Sequence, residues 1–157
     1  MARGASPAPG PEVTERQIQE DMVRLDAYRS QFNALAQQRE ILLASRQEHL
    51  RARESLEGID RSHDGDEMLV PLGGEAFVRG TVARSTPILI GVGSGVVAEM
   101  ERPKAVELIA SRLTRIEQAI RDVEGQLTAV DERVQLLSRR LEALSHGPGA
   151  TGDVGGA

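Results

Sequence analysis

The chain has 157 residues, a net charge of −5, no cysteine and only 2% aromatic residues. The lack of cysteine excludes disulfides, thiolate metal sites and a cysteine nucleophile, and so few aromatic side chains argue against an ordinary packed globule. Acidic and basic residues are interspersed, without the basic stripe that nucleic-acid binding requires. The first eleven residues are too polar for a secretory signal, and no apolar run is long enough to span a membrane. We therefore expect a cytoplasmic protein without a nucleic-acid or membrane partner.

Residues 1–11 carry three prolines together with glycine, alanine and serine, which predicts a disordered tail. Residues 12–57 contain no glycine or proline and predict a long helix. Its seam, the set of heptad positions that face a partner helix, follows the alternating three- and four-residue spacing of a coiled coil. The seam comprises Ile18, Leu25, Tyr28, Phe32, Leu35, Arg39, Leu42, Arg46, His49, Arg53 and Leu56.

Residues 58–102 change character, with turn dipeptides at Asp64-Gly65 and Gly73-Gly74. Short β-branched runs predict four strands in two hairpins, over Met68–Leu72, Ala76–Val82, Pro87–Val92 and Val96–Met100. Four short strands leave unpaired edges, so we expect them to pair with strands of other subunits. The candidate assembly residues are Leu69, Val70, Leu72, Phe77, Val78, Ile88, Ile90, Val92 and Val96.

Residues 103–145 carry the clearest pattern in the chain, because every a and d position is aliphatic. These positions are Val106, Ile109, Leu113, Ile116, Ile120, Val123, Leu127, Val130, Val134, Leu137, Leu141 and Leu144. Such a helix needs a partner helix to cover its stripe, and the glycine-rich residues 146–157 predict a flexible tail. The predicted fold class is α+β, with a long antiparallel coiled-coil hairpin and two central β-hairpins.

One antiparallel register places an apolar residue in every layer of the coiled coil. It sets Ile18 beside Leu144 and Leu42 beside Ile120. The same register brings Arg39 near Glu124 and Arg46 near Glu117. We expect these arginines to lay their aliphatic stems along the seam and to keep their charges in water.

The glycine-rich segment Gly91-Val92-Gly93-Ser94-Gly95 superficially suggests a nucleotide site. It lacks the lysine of a phosphate loop, and a strand follows it instead of a helix, so a hairpin turn or bulge is the better interpretation. The three histidines are scattered, and the acidic residues from Asp60 to Glu67 lack EF-hand spacing. We therefore predict no enzyme, no catalytic residue, no cofactor and no metal.

The order helix, strand-rich centre, helix resembles the alpha subunits of archaeal prefoldin. The resemblance rests on Met68-Leu69-Val70-Pro71-Leu72-Gly73 and on Ile90-Gly91-Val92-Gly93-Ser94-Gly95-Val96, with two hairpins between the helices. It implies an ATP-independent chaperone built from two alpha and four beta subunits, whose strands form a double β-barrel platform. It further implies that coiled-coil tips hold non-native polypeptides and pass them to a group II chaperonin.

At the free end of such a coiled coil the apolar seam loses its partners, which predicts a polypeptide-binding tip. The candidate residues are Val13, Ile18, Met22, Leu25, Val134, Leu137, Leu141 and Leu144. Their alternative role is simply to complete the coiled coil, which would fit a structural tether without chaperone activity. An enzyme using the glycine turn and a membrane-surface helix are further alternatives, the latter opposed by the balanced charges and strict heptads.

Overall fold

The computed structural model describes residues 11–146, with side chains from Glu15 onward. In sequence order, a long helix is followed by four short strands and then by a second long helix. Helix α1 covers Pro11–Arg61 and α2 covers Arg102–Ser145, while the strands are β1 (Glu67–Gly73), β2 (Ala76–Thr81), β3 (Ile88–Gly93) and β4 (Val96–Met100). The predicted α+β class is confirmed. The predicted tails lie almost wholly outside the described residues, and within those residues neither helix is apolar enough to cross a membrane.

Helix α1 continues past its predicted end at Glu57 and includes Gly58. A glycine inside a helix costs about 1 kcal/mol relative to alanine, so the sequence favoured an earlier end. The last turn is held by the hydroxyl of Ser62, which donates to the carbonyl oxygen of Gly58 at 2.8 Å. This hydrogen bond satisfies one of the carbonyls that a helix end leaves without a partner.

The chain forms two compact units. The helical unit contains the described residues up to Glu40 and from Arg121 onward, and the hairpin unit contains Ile41–Ile120. Each unit therefore includes a part of both helices, and the four strands all belong to the hairpin unit. The helices pair within each unit, as described below.

In the helical unit, α1 and α2 run antiparallel. Arg140 on α2 lies 3.0 Å from Asp21 on α1, and the guanidinium of Arg133 lies 5.5 Å from the ring centre of Tyr28. As the residue number rises along α1, the number of the contacting residue on α2 therefore falls. The apolar residues buried between these segments are Leu25, Leu35, Val123, Leu127 and Val130, all of them at predicted seam positions.

In the hairpin unit, the predicted register is supported by an ion pair between Arg46 Nε and Glu117 Oε1 at 3.3 Å. The guanidinium of Arg39 forms its ion pair with the neighbouring Glu40, at 3.1 Å, and its proximity to Glu124 stays a prediction. Both arginines are half-buried along the seam. An ion pair with a carboxylate one residue away restricts the two side chains less than an ion pair with a carboxylate on the other helix. Exposed ion pairs are therefore poorly predicted from heptad spacing.

Each hairpin is a separate two-stranded antiparallel sheet, β1 with β2 and β3 with β4. The register pairs Val70 with Val78 in the first hairpin and Ile90 with Ala98 in the second. Both ladders shift just before their turns, between Pro71 and Gly73 and between Gly91 and Gly93. The core of this unit lies where the second hairpin meets both helices, and comprises Leu56, Ile90, Ala105, Ile109 and Leu113.

Candidate assembly and polypeptide-binding surfaces

The first hairpin exposes apolar side chains on both of its faces. Side chains alternate between faces along a strand, so Leu69 and Val70 lie on opposite faces. Leu69 is 62% exposed and Leu72 67%. On β2, Phe77 and Val78 are likewise exposed. Neither face of this hairpin is covered within the described residues, which leaves two apolar surfaces and two strand edges available to a partner.

The second hairpin differs, because one of its faces belongs to the chain's own core. Ile90 is buried against Leu56 and Ile109, and Ile88 and Met100 pack around the same cluster. The opposite face presents Leu89 and Val97 to solvent. Ile90 therefore lies inside the subunit, and we remove it and the partly buried Ile88 from the proposed contact surface. We call the exposed set the hairpin surface; it comprises Leu69, Val70, Leu72, Phe77, Val78, Leu89, Val92, Val96 and Val97.

Two arginines of α2 fasten the connecting backbone to the helices. The guanidinium of Arg102 donates to Asp60 Oδ1 at 2.7 Å and also to the carbonyl oxygen of Arg84. Arg112 donates to the carbonyl oxygen of Gly91 at 2.6 Å. Hydrogen bonds from a charged donor are stronger than neutral ones, so these contacts hold the segment between the hairpins and strand β3 against the helices.

The glycine-rich segment is a hairpin turn, as predicted. Gly93 has φ = +116° and Gly95 φ = +75°, and Ser94 between them is also in the left-handed region at φ = 51°. Only glycine adopts such angles without steric cost. The glycines thus reverse the chain between β3 and β4, and the structural context of a nucleotide loop, a helix starting at the last glycine, is not found there.

The acidic residues between α1 and β1 serve turn chemistry. Asp66 Oδ2 accepts from the backbone N–H of His63 at 2.7 Å, and Asp64 Oδ1 accepts from the backbone N–H of Arg84 at 2.6 Å. These bonds close the loop and tie it to the segment after β2. Within residues 11–146, no group of three or more histidine, aspartate or glutamate side chains is arranged to hold a metal ion.

The predicted polypeptide-binding residues lie at the ends of the two helices in the helical unit. We call residues 15–25 of α1, together with residues 134–146 at the end of α2, the tip. Met22 is 58% exposed, and the neighbouring Val23, which the sequence pattern did not select, is 71% exposed. Leu25 is buried, whereas the remaining predicted residues of the tip are half-buried: Ile18, Val134, Leu137, Leu141 and Leu144. The side chain of Val13 lies outside the described set.

A furrow runs beside the seam at the tip. It has a volume of about 370 Å³ and is lined by Met22, Val23, Leu25, Asp26, Arg29 and Leu141. A second furrow of about 320 Å³ shares Arg29 and continues along Phe32, Asn33, Asp131 and Val134. The lining combines apolar side chains with side chains of both charges. Such a surface accepts apolar side chains without selecting strongly for the charge of what binds.

Comparison with known proteins decides the family. The family model described as prefoldin subunit matches residues 28–146. The chain belongs to the prefoldin subunit family. A prefoldin subunit alpha of Methanoculleus marisnigri is 30% identical over 87% of this chain and 91% of its own. One of Pyrococcus horikoshii is 28% identical over 72% of this chain and 77% of its own.

Solved prefoldin structures share the fold. A chain of filamentous prefoldin from Methanocaldococcus jannaschii aligns with a TM-score of 0.62 at 21% identity, covering 73% of this chain and 95% of that one. The prefoldin beta subunit of Thermococcus strain KS-1 aligns with a TM-score of 0.57 at 17% identity, covering 84% and 95%. The predicted family is confirmed, and prefoldin subunits are non-enzymatic proteins with a chaperone cofactor role.

One residue at the tip of this prefoldin subunit escaped the sequence analysis. Asp21 is 2% exposed and lies between α1 and α2. It occupies the heptad d position between Ile18 and Leu25, which the predicted seam left out although it included the charged Arg39. The signal was present in the sequence, because an acidic residue stands at a heptad d position between Ile18 and Leu25.

Proposed function

We propose that this chain is the alpha-type subunit of a cytoplasmic, ATP-independent chaperone that holds non-native polypeptides and delivers them to a group II chaperonin. Its partners would be beta-type prefoldin subunits, in a hexamer of two alpha and four beta chains. Clients would be held by apolar side chains at the tip. The observation that carries the holding role is the exposure of Met22 and Val23, which line the tip furrow, in a helix pair whose seam residues are largely covered.

Assembly is supported by the hairpin surface. A single hairpin is marginally stable in water, and exposed strand edges pair readily with other chains. Leu89 and Val97 project from a hairpin that is anchored to the helices, so a partner would meet a fixed apolar face. The first hairpin, open on both faces, would be covered by strands of neighbouring subunits.

The size of the tip implies weak binding by one subunit. An exposed apolar patch of about 300–600 Å² contributes roughly 7–15 kcal/mol before costs. The loss of translational freedom and the ordering of the client remove about 4–15 kcal/mol or more. Several tips that hold one client at once would bind usefully, because the second contact is made at high effective concentration.

A structural tether without client binding is the second candidate. The half-burial of Ile18, Leu137, Leu141 and Leu144 favours it, because these side chains already pack at the end of the helix pair. The deciding experiment mixes this chain with a beta-type subunit and measures light scattering from a chemically unfolded client diluted into the mixture. Chaperone function predicts suppressed aggregation at stoichiometric amounts of complex. Aggregation equal to that of the client with an inert coiled-coil protein would leave the tether as the better proposal.

A further inference from the structure

Asp21 is a buried carboxylate in a position where coiled coils place an apolar side chain. Ile18 and Leu25 occupy the flanking a positions of α1, and Asp21 is less exposed than either. Removal of a carboxylate from water is unfavourable unless hydrogen bonds and an opposite charge replace the lost hydration. The partners of Asp21 therefore decide whether this residue strengthens or weakens the helix pair.

The partners of Asp21 replace that hydration incompletely. Arg140 Nε lies 3.0 Å from Asp21 Oδ2 and Arg24 Nη1 lies 3.8 Å from Oδ1. The first distance is short enough for charge attraction, yet Oδ2 is buried and accepts no hydrogen bond from any described residue. The Arg140 side chain is 52% exposed and the Arg24 side chain 64%, so both cations are largely in water. A charge pair of this kind is weaker than an apolar layer of similar volume.

The seam around Asp21 is also less completely buried than the seam toward the middle of the unit. Toward the middle of the unit, Leu35 and Val130 are buried, whereas Ile18, Leu141 and Leu144 at the tip are only half-buried. A polar residue at a single seam position fixes the register of a coiled coil but lowers its stability. Asp21 combines both effects at the end of the helix pair, where the number of apolar layers beyond it is smallest.

We propose that Asp21 is a positioning residue that keeps helix pairing at the tip weak enough to open, while Arg140 holds it in register. Opening exposes the half-buried leucines of the tip to an apolar segment of a non-native polypeptide. This inference rests on the proposed holding function and adds the residue that makes it possible. A fully apolar seam would close over the same leucines and withhold them from the client.

The test compares Asp21→Leu with Glu20→Leu, in the full chain assembled with a beta-type subunit. Both variants replace an acidic residue with leucine, but the Glu20 side chain is 51% exposed and outside the seam. The first readout is hydrogen–deuterium exchange of backbone amides in residues 15–25 and 134–146, without client. The second readout is suppression of client aggregation by the same complexes.

Asp21→Leu should slow exchange at the tip roughly tenfold, because an apolar layer replaces the buried charge. It should also weaken the suppression of aggregation, and Glu20→Leu should leave exchange unchanged. Equal or faster exchange in Asp21→Leu would overturn the proposal. Slower exchange with undiminished suppression would also overturn it, because opening would then be irrelevant to capture. Failure of the proposed function itself is distinct from both, since the native complex would then not suppress aggregation at all.

Discussion

The hairpin surface and the tip both expose apolar side chains, but in different ways. Side chains of the hairpin surface are anchored on paired strands and stand clear of their own subunit, as Leu89 does at 70% exposure. At the tip Met22, Val23 and Leu136 are similarly exposed, whereas the predicted tip residues other than Met22 are half-buried or, at Leu25, buried. Extensive, fixed exposure suits a permanent interface, whereas partial, adjustable exposure suits a transient one. This difference supports the proposal that the hairpins mediate assembly and the tip captures clients.

A substitution in the hairpin surface should have a larger effect than one in the tip. Leu89→Asp would place a charge in the proposed subunit interface, and an unpaired buried charge is strongly unfavourable. We expect loss of the complex with the beta-type subunit, measured as a fall in mass by light scattering after gel filtration. Helical circular dichroism should persist, since Leu89 is outside the core.

Ile41→Asp is the matched control for Leu89→Asp, because Ile41 is also 70% exposed but lies on α1. It should assemble normally. A full-size complex containing Leu89→Asp would show that this face of the second hairpin is not an interface.

Changes at the tip should spare assembly and impair capture. Serine at Ile18, Met22, Leu141 and Leu144 removes apolar area from the tip but leaves the buried layers around Leu35 and Leu127 intact. We expect a complex of unchanged mass whose suppression of client aggregation weakens several-fold or more, because apolar burial supplies the binding energy.

Serine at Ile41 and Leu43, two exposed apolar residues of α1 outside the tip, is the control and should leave capture unchanged. If the tip variant protected clients as well as the native complex, the distinction between the two regions would fail.

Substitution of a glycine in the turn between β3 and β4 should have a smaller effect. It separates backbone strain from packing. Gly93→Ala should destabilise the subunit by about 1–2 kcal/mol, because φ = +116° is unfavourable for alanine. Gly91→Ala is the control, since neither glycine has an atom within 4 Å of an added Cβ and Gly91 has no positive φ. Thermal unfolding of both variants provides the measurement. Equal melting temperatures would argue that the turn relaxes without strain.

The ion pair between Arg46 and Glu117 should have the smallest effect. The two side chains are 42% and 41% exposed, and such pairs contribute about 0–1 kcal/mol. A double-mutant cycle with Arg46→Gln and Glu117→Gln should give a coupling free energy in that range, with assembly and capture unchanged. A coupling several times larger would mean that this pair does more than set the register.

Much of the fold could be predicted because the heptads and the glycine turns are local signals. The stripe from Val106 to Leu144 requires a partner helix, and the strand Val96–Met100 has its predicted bounds. The burial of Ile90 could not be predicted, since β3 is apolar on both faces and only tertiary packing selects the face that meets the helices. The carboxylate that pairs with Arg39 could not be predicted either, because exposed charge pairs differ little in energy.

The candidate tip was predicted from the ends of the seam, but its most exposed apolar side chain was not. Val23 lies off the heptad stripe, and nothing in the spacing distinguishes it from other isolated surface residues. Asp21, by contrast, lies on the heptad stripe, at a d position that the predicted seam left out. A heptad position filled by a charge therefore carries as much information about function as the regular positions around it.

Site-specific photo-crosslinking tests most directly whether clients are held at the tip. A photoreactive residue placed at Val23 or at Ile41 occupies a position of nearly equal exposure, 71% and 70%, on the same helix. With a chemically unfolded client and the assembled complex, crosslinks should form from position 23 and be scarce from position 41. Equal crosslinking from both positions, or crosslinks from position 41 alone, would contradict capture at the tip.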